Sequence, residues 1–467
     1  MPIIGVLLLF AVFNIVTAPY SPDPWLDEVS YTDPGASLAV EGSFTSDVWG
    51  DRGSPIWTGN VPLHQLLLAG CFKVFGFSCR VARSANVIYY TLAIFLICQM
   101  VGKYHLVGKA GARWLLLLIL LTGTGLTALY RNGRYDALGM LLFVGWIFCS
   151  LHSLRRPWLL SGVVLAAGLM PAAGLALAPM LFLSCVTAFL LWRWQVWRVM
   201  VATGIGGISG LAILQLTYQR LGVPHIFREV MKAAGGNALQ LDFTVAVFKN
   251  PSYLAAMLAG ALILFVLRRS GPREAQIKLA LALTGLGLVV PFFCALVAKY
   301  NLNYSWMAII PATLGACMIL EQPSVPRLAR VAGIVLLVLA TLPGFPRRAV
   351  RIASAWMQER PAAIAQYVIR NTSPADTVFV DINALAGYYD LRFRAHKSYW
   401  IVPPKGEADG LQVTTAIMSG NGCEAQLGRM FSGAWLQVDD REFGTEKIQV
   451  FPEPPVRLVV YRRVQPK

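Results

Sequence analysis

The chain has 467 residues, of which 56% are hydrophobic and 14% charged; the roughly 45–50% apolar content of an ordinary soluble domain is exceeded, which excludes that class. Its 40 Lys and Arg against 24 Asp and Glu leave a net charge of +16, but no basic run is interleaved with aromatics. The cations therefore read as a fringe for membrane helices and anionic lipid headgroups, and nucleic acid is excluded as a partner.

Apolar stretches close to the roughly 20 residues that span a bilayer recur from end to end, and in lipid each can satisfy its backbone only as a helix. The first, residues 3–18, lacks the basic start of a signal peptide and reads as an uncleaved anchor. Behind it comes "WLDEVSYTDPGASLAVEGSF" from Trp25. Asp33 followed by Pro34 predicts a helix cap with Pro at the first helical position. Asp27 and Glu28 exceed what one cap needs, and adjacent side chains do not share a face, so the two are expected to have separate tasks. The segment "VPLHQLLLAGCFKVFGF", with His64 and Lys73, predicts an interfacial helix lying along the membrane.

Spans are predicted next at 84–101, 114–129, 137–151, 158–170, 174–192 and 199–218, then at 253–267, 277–298, 306–320 and 328–342, about eleven in all. Asp136 opens the fourth of these in "YRNGRYDALGML", a context that suits an N-cap. Gly204, Gly206, Gly207 and Gly210 in "GIGGISG" lie inside an apolar run, which predicts close helix packing rather than a nucleotide loop. The eight cysteines form no disulfide framework and no CxxC metal spacing.

Lys and Arg accumulate on cytoplasmic loops. Lys103, Lys109 and Arg113, then Arg155 and Arg156, then Arg193 and Arg198, then "RRSGPREAQIK", then "RLAR" from Arg327 fall on one face. That makes the N-terminus cytoplasmic and puts the Asp27, "RNGRYD", 219–252 and "KYNLNY" loops outside. Arg131 and Arg134 are outside against the trend, which assigns them work there. Beyond Pro343 the composition changes: "RPAAIAQYVIRNTSPADTVFVDINALAGYYDL" reads as an amphipathic helix, a turn and a buried strand, and "RLVVYRRV" as a late strand. The expected division is a membrane part, 1–345, and a small extracytoplasmic α/β domain, 346–467.

Acids and cations thus meet at the outer membrane boundary. A carboxylate can take a proton from an attacking hydroxyl. Guanidiniums suit phosphate oxygens through paired hydrogen bonds, and Arg, Lys or a divalent metal can stabilise a departing phosphate. Together these match sugar transfer from a lipid phosphate. The order of "LDEVSY" with "AVEGSF", "VPLHQLLLAGCFKVFG", "RVARSANVIYY" and "LYRNGRYDALGML" over the first third of the chain resembles the GT-C polyprenyl-phosphate glycosyltransferases of glycosyltransferase family 39. That group includes protein O-mannosyltransferases and the bacterial transferases that put aminoarabinose on lipid A.

The resemblance implies a polytopic α-helical membrane protein of GT-C type in a bacterial inner membrane. It implies that Asp27 is the catalytic base, with Glu28 in support and Asp136 orienting the acceptor or a metal. Arg131, Arg134, His64, Lys299 and Tyr304 become the substrate-binding candidates. Aminoarabinose transferases carry an acid–Lys pair before the Pro of the interfacial helix, where this chain reads "TGNVPLH". Gly59 and Asn60 supply neither charge, so that substrate, and a divalent metal ion as cofactor, stay open. The expected activity is inverting transfer of a sugar from a polyprenyl-phosphate donor to an extracytoplasmic lipid, glycan or protein. The alternatives are a carrier or flippase for lipid-linked saccharides and a noncatalytic scaffold.

Overall fold

The computed structural model describes residues 2–20, 24–46, 61–153, 155–174, 177–192, 197–225, 304–323, 325–341, 360–400, 411–443 and 455–464, with a few isolated positions between them. The expected spans at 253–267 and most of 277–298, the loop beyond residue 228, Lys299 and the expected division at 345 lie outside the described residues.

The N-terminal helix α1 (Pro2–Val16) leads to α2 (Leu26–Val40), α3 (Pro62–Phe75) and the long α4 (Cys79–Lys103). Pro62 starts α3, where a missing N–H costs nothing, and the Ser78 hydroxyl caps α4 by accepting from Val81 N. Next come α5 (Ala110–Thr122), α6 (Thr124–Tyr130), α7 (Asp136–Ser153), α8 (Leu160–Ala173), α9 (Leu177–Trp192) and α10 (Trp197–Arg220). After the undescribed stretch follow α11 (Trp306–Leu320) and α12 (Arg327–Thr341). Among the described residues α4, α7 and α10 are long and apolar enough to cross a membrane; α1, α5, α8 with its preceding turn, and α11 are shorter apolar helices. One apolar core joins α1, α4, α5, α6, α7, α8 and α11.

Two expectations need correction. The span predicted at 114–129 is two helices, because Gly123 takes an extended ψ of 131° and its N–H closes the end of α5 on Ile119 O. Asp33 caps nothing: it lies inside α2, with Pro34 also internal, and its carboxylate is buried against partners far along the chain. The glycine run behaves as predicted at two of its four positions. Gly206 and Gly210 press on the α8 backbone at Val164 and Gly168 so closely that a Cβ would overlap those carbonyl oxygens, whereas Gly204 and Gly207 face open space.

The C-terminal part begins with α13 (Arg360–Arg370), whose Ile364, Tyr367 and Val368 are buried. Asp376 Oδ2 accepts from Ser373 N at 2.7 Å and shapes the turn into β1 (Thr377–Val380). With β2 (Lys397–Tyr399), β3 (Thr415–Ser419), β4 (Trp435–Phe443) and β5 (Val456–Arg463) it forms a five-stranded sheet in the order β2-β1-β3-β5-β4. The pairs of β1 with β2 and β3 are parallel, and those of β5 with β3 and β4 antiparallel. A short helix, α14 (Tyr388–Leu391), points this unit at the helical part: Val29 of α2 shares its apolar core, and Phe77 packs on Tyr388, Tyr389 and Phe393.

Candidate functional site

The site is built on α2, a helix of unusual composition, "LDEVSYTDPGASLAV". Its 3.6-residue period sorts the polar side chains into rows. Asp27 and Tyr31 form one row, Glu28 and Thr32 a second, Asp33 and Ser37 a third. Each row meets a different partner.

The first row meets the loop between α6 and α7. Asp27 Oδ2 accepts from Arg134 Nη1, and Arg134 Nε donates to Asp136 Oδ2 at 2.9 Å. Arg134 thus bridges the two acids. Its side chain is only 2% exposed and that of Asp136 1%, whereas that of Asp27 is 37% exposed. Trp25, Tyr31 and Tyr135 surround the guanidinium, with ring centroids 5.2–5.7 Å from its central carbon. The Tyr135 and Tyr304 hydroxyls lie 2.9 Å apart. Burial raises the Tyr31, Tyr135 and Tyr304 phenols above their ordinary range, so all three stay protonated and able to donate. Burial alone would weaken the Arg134 charge, but Asp136 and the surrounding groups outweigh it and raise its pKa, so the guanidinium stays cationic.

In the second row, Glu28 is fully buried and pairs in two-pronged fashion with Arg83 of α4, at 2.8 Å to Nε and 2.7 Å to Nη2. Arg83 also donates to Ala18 O and Pro22 O, fixing the chain that enters α2. In the third row, Asp33 Oδ1 accepts from Tyr388 OH and Arg392 Nε, both at 2.8 Å, while Ser46 donates to Oδ2.

Gly133 of the loop between α6 and α7 lies against the second row. A Cβ there would come 2.6 Å from Thr32 Cγ2 and 3.2 Å from Glu28 Cγ, so only glycine lets the Arg134 loop lie this close to α2. Asn86 donates to the Asn132 and Arg134 carbonyls, and His64 Nε2–H donates to Gly133 O at 2.7 Å. Burial pushes the His64 imidazole down to about 4, and among the described residues its Nδ1 has no hydrogen-bond partner.

The structure brings Asp27, Arg134, Asp136 and Tyr304 together, with Glu28 beside them on a separate partner. His64 supports the loop from behind. Arg131 is directed elsewhere: its guanidinium donates to Asn14 Oδ1, Thr17 Oγ1 and Thr17 O, tying the loop to α1. Lys299 is outside the described residues. Sequence reasoning missed Trp25, Tyr31, Arg83, Tyr135, Tyr388, Tyr389 and Arg392. Arg83 carried a usable signal, because an Arg inside an apolar helix demands a partner. Among the described residues no three His, Cys, Asp or Glu side chains converge as a metal ion would need, and Asp27 and Asp136 hold a guanidinium between them. Among the described residues this donor set offers a divalent ion fewer than three such ligands.

No protein-family model and no curated protein sequence matches the chain. Among solved structures it is similar to ArnT from Cupriavidus metallidurans bound to undecaprenyl phosphate, at 13% identity and a TM-score of 0.65, covering 100% of this chain and 98% of that one. The apo state of ArnT gives 13% identity and a TM-score of 0.63, with both chains covered at 100%. The arabinofuranosyltransferase AftD from Mycobacteria gives 15% identity and a TM-score of 0.52, covering 99% of this chain and 40% of AftD. These neighbours are GT-C glycosyltransferases, and at such identities what is shared is the fold. The chain has the GT-C fold.

Proposed function

We propose that the protein is an inverting glycosyltransferase that moves a sugar from a polyprenyl phosphate to an acceptor on the extracytoplasmic side of a bacterial inner membrane. The observation that carries this reading is the state of Asp27. Of the acids gathered here, Glu28, Asp33 and Asp136 are buried in ion pairs, while Asp27 is ion-paired yet open to an incoming hydroxyl. The GT-C fold supports the donor class, since ArnT in that fold was captured with undecaprenyl phosphate.

The chemistry follows from this geometry. Asp27 takes the proton of the acceptor hydroxyl as its oxygen forms a bond to the anomeric carbon. The bond from that carbon to the phosphate oxygen breaks, and polyprenyl phosphate leaves with the electron pair. Once Asp27 is neutral, the Arg134 Nη1 group is relieved of its anion and can turn to the charge growing on the departing phosphate. Tyr304 and Tyr135 offer hydroxyl donors on the same side. The prenyl tail stays in lipid, the N-terminus is cytoplasmic, and the C-terminal α/β part is exported with the Asp27 loop.

The test is mass spectrometry of lipid A, envelope glycans and glycoproteins from cells with and without the protein, repeated with Asp27→Asn. Loss of one hexose, uronic acid or aminopentose in both deletion and variant cells supports the reading and names the sugar and acceptor. Full transfer by Asp27→Asn overturns it. Movement of labelled lipid-linked sugar across vesicles with no new glycosidic bond would instead identify a carrier.

A further inference from the structure

The contact between α14 and α2 joins two parts of the chain that are more than 350 positions apart in sequence. On its own, α2 is a poor helix. It contains Pro34, Gly35, two serines, a threonine and Asp33, and it has no side-chain cap at its start. Pro34 removes one backbone donor, and Ser30 and Ser37 bond carbonyls of their own helix. Its position must come from the groups that hold it from outside.

Two of the three rows on α2 are held from the C-terminal part. Tyr389 OH donates to Glu28 Oε1 at 3.2 Å, on the same oxygen that Arg83 Nε uses. Tyr388 OH and Arg392 Nε both donate to Asp33 Oδ1, while Arg392 Nη2 donates to Ser37 Oγ at 3.0 Å and Nη1 to Glu41 Oε1 at 3.3 Å. Tyr388, Glu28 and Asp33 are fully buried and Arg392 is 3% exposed, so water does not compete for the bonds to Asp33. They grip α2 on both sides of its proline. Asp27 is the next residue before Glu28, and Thr32, the residue before Asp33, rests on Gly133 of the Arg134 loop.

We propose that Tyr388, Tyr389 and Arg392 form a positioning clamp for the reaction centre, holding α2 through Glu28 and Asp33 so that the Asp27 carboxylate stands at the distance from Arg134 that transfer requires. The clamp rests on the glycosyltransfer reading above. It touches no reacting atom. Its effect is on the geometry of the base, and misplacing a reacting group by about 1 Å costs roughly 100-fold in rate.

The test uses the full-length protein with Tyr389→Phe, Tyr388→Phe and Arg392→Lys, and Arg457→Gln as a control. Arg457 pairs with Asp440 on the exposed face of the sheet and touches none of the clamp. For each, transfer kinetics are measured with the donor and acceptor found for the wild type, together with hydrogen exchange of the 26–40 peptide. The tyrosine variants should lose roughly 10- to 100-fold in kcat with KM unchanged, and the α2 amides should exchange several times faster. Arg392→Lys keeps the charge on Asp33 but loses the forked contacts to Ser37 and Glu41, so it should fold normally and still lose turnover. Arg457→Gln should match the wild type in both measurements.

Wild-type turnover in Tyr389→Phe and Arg392→Lys overturns the clamp, as does unchanged α2 exchange in the same proteins. If a tyrosine variant fails to fold, the turnover of Arg392→Lys decides. If the wild type transfers no sugar, the functional reading falls while the exchange data still decide whether α14 holds α2.

Discussion

Replacing Asp27 by Asn separates chemistry from stability in a way that the burial of its neighbours makes quantitative. Asn keeps the shape of the side chain, and its carbonyl oxygen can still accept from Arg134 Nη1, while Asp136 continues to balance the guanidinium. The Asp27 side chain is 37% exposed, and ion pairs that face water contribute about 1 kcal/mol or less. The protein should therefore keep its fold and nearly its full thermal stability. On the proposed role of Asp27 the variant cannot take the acceptor proton, and losing a general base costs roughly 100- to 10,000-fold, or about 3–5 kcal/mol of barrier. Glu28→Gln should show the opposite pattern. It leaves Arg83 buried without its anion, and breaking such a pair costs about 3–5 kcal/mol of stability. The assay is single-turnover transfer in proteoliposomes beside thermal unfolding of the same preparations. The assignment of roles is refuted if Asp27→Asn retains more than about a tenth of the wild-type rate, or if it melts as early as Glu28→Gln.

Three further outcomes follow from single contacts. Gly133→Ala should abolish transfer and lower the unfolding temperature, because the new methyl meets Thr32 Cγ2 at 2.6 Å and overpacking costs about 1–3 kcal/mol; a fully active variant would contradict the close approach of loop and helix. His64 is neutral in the fold, with its pKa lowered to about 4 by burial, so it contributes stability that is complete above its unfolded value near 6.5 and is lost as pH falls from there towards 4. Unfolding followed between pH 7 and 4 should show this slope, worth about 3 kcal/mol at its end, and His64→Asn should flatten it. Gly210→Ala should separate α8 from α10, since its methyl would overlap the Gly168 carbonyl, whereas Gly207→Ala should be tolerated; thermal unfolding of both variants checks the pair.

Local and periodic features were legible in the sequence. Hydropathy located α1, α4, α7, α10 and α11, and the glycine run announced the α8–α10 contact because small residues inside an apolar helix have few other uses. The adjacency of Asp27 and Glu28 already required separate partners. What could not be read was which partners. Arg131 and Arg134 are equivalent by composition and spacing, and only the path of the loop sends one to α1 and the other to the acids. Asp33 before Pro34 fits a cap by local rules, yet it is spent on Tyr388 and Arg392, whose approach depends on the packing of the whole C-terminal part. The break at Gly123 turns on one ψ angle, which hydropathy does not register.

The charge pattern favours Asp27 over its neighbours for the role of base proposed above. Four carboxylates, Asp27, Glu28, Asp33 and Asp136, meet three guanidiniums, Arg83, Arg134 and Arg392, in these ion pairs. Protonating Glu28 would take from Arg83 its anionic partner in a fully buried pair, and protonating Asp33 would take from Arg392 its buried carboxylate, Glu41 being more exposed. Protonating Asp136 would leave Arg134 to the half-open Asp27 alone. The first of these steps breaks a fully buried pair, at a cost of several kcal/mol, and the other two leave a buried guanidinium to a more exposed carboxylate. Protonating Asp27 does the reverse, since Glu28 keeps Arg83, Asp33 keeps Arg392 and Asp136 keeps Arg134. In the proposed reaction the acceptor proton would thus go to Asp27 while Arg83, Arg134 and Arg392 each keep a buried carboxylate.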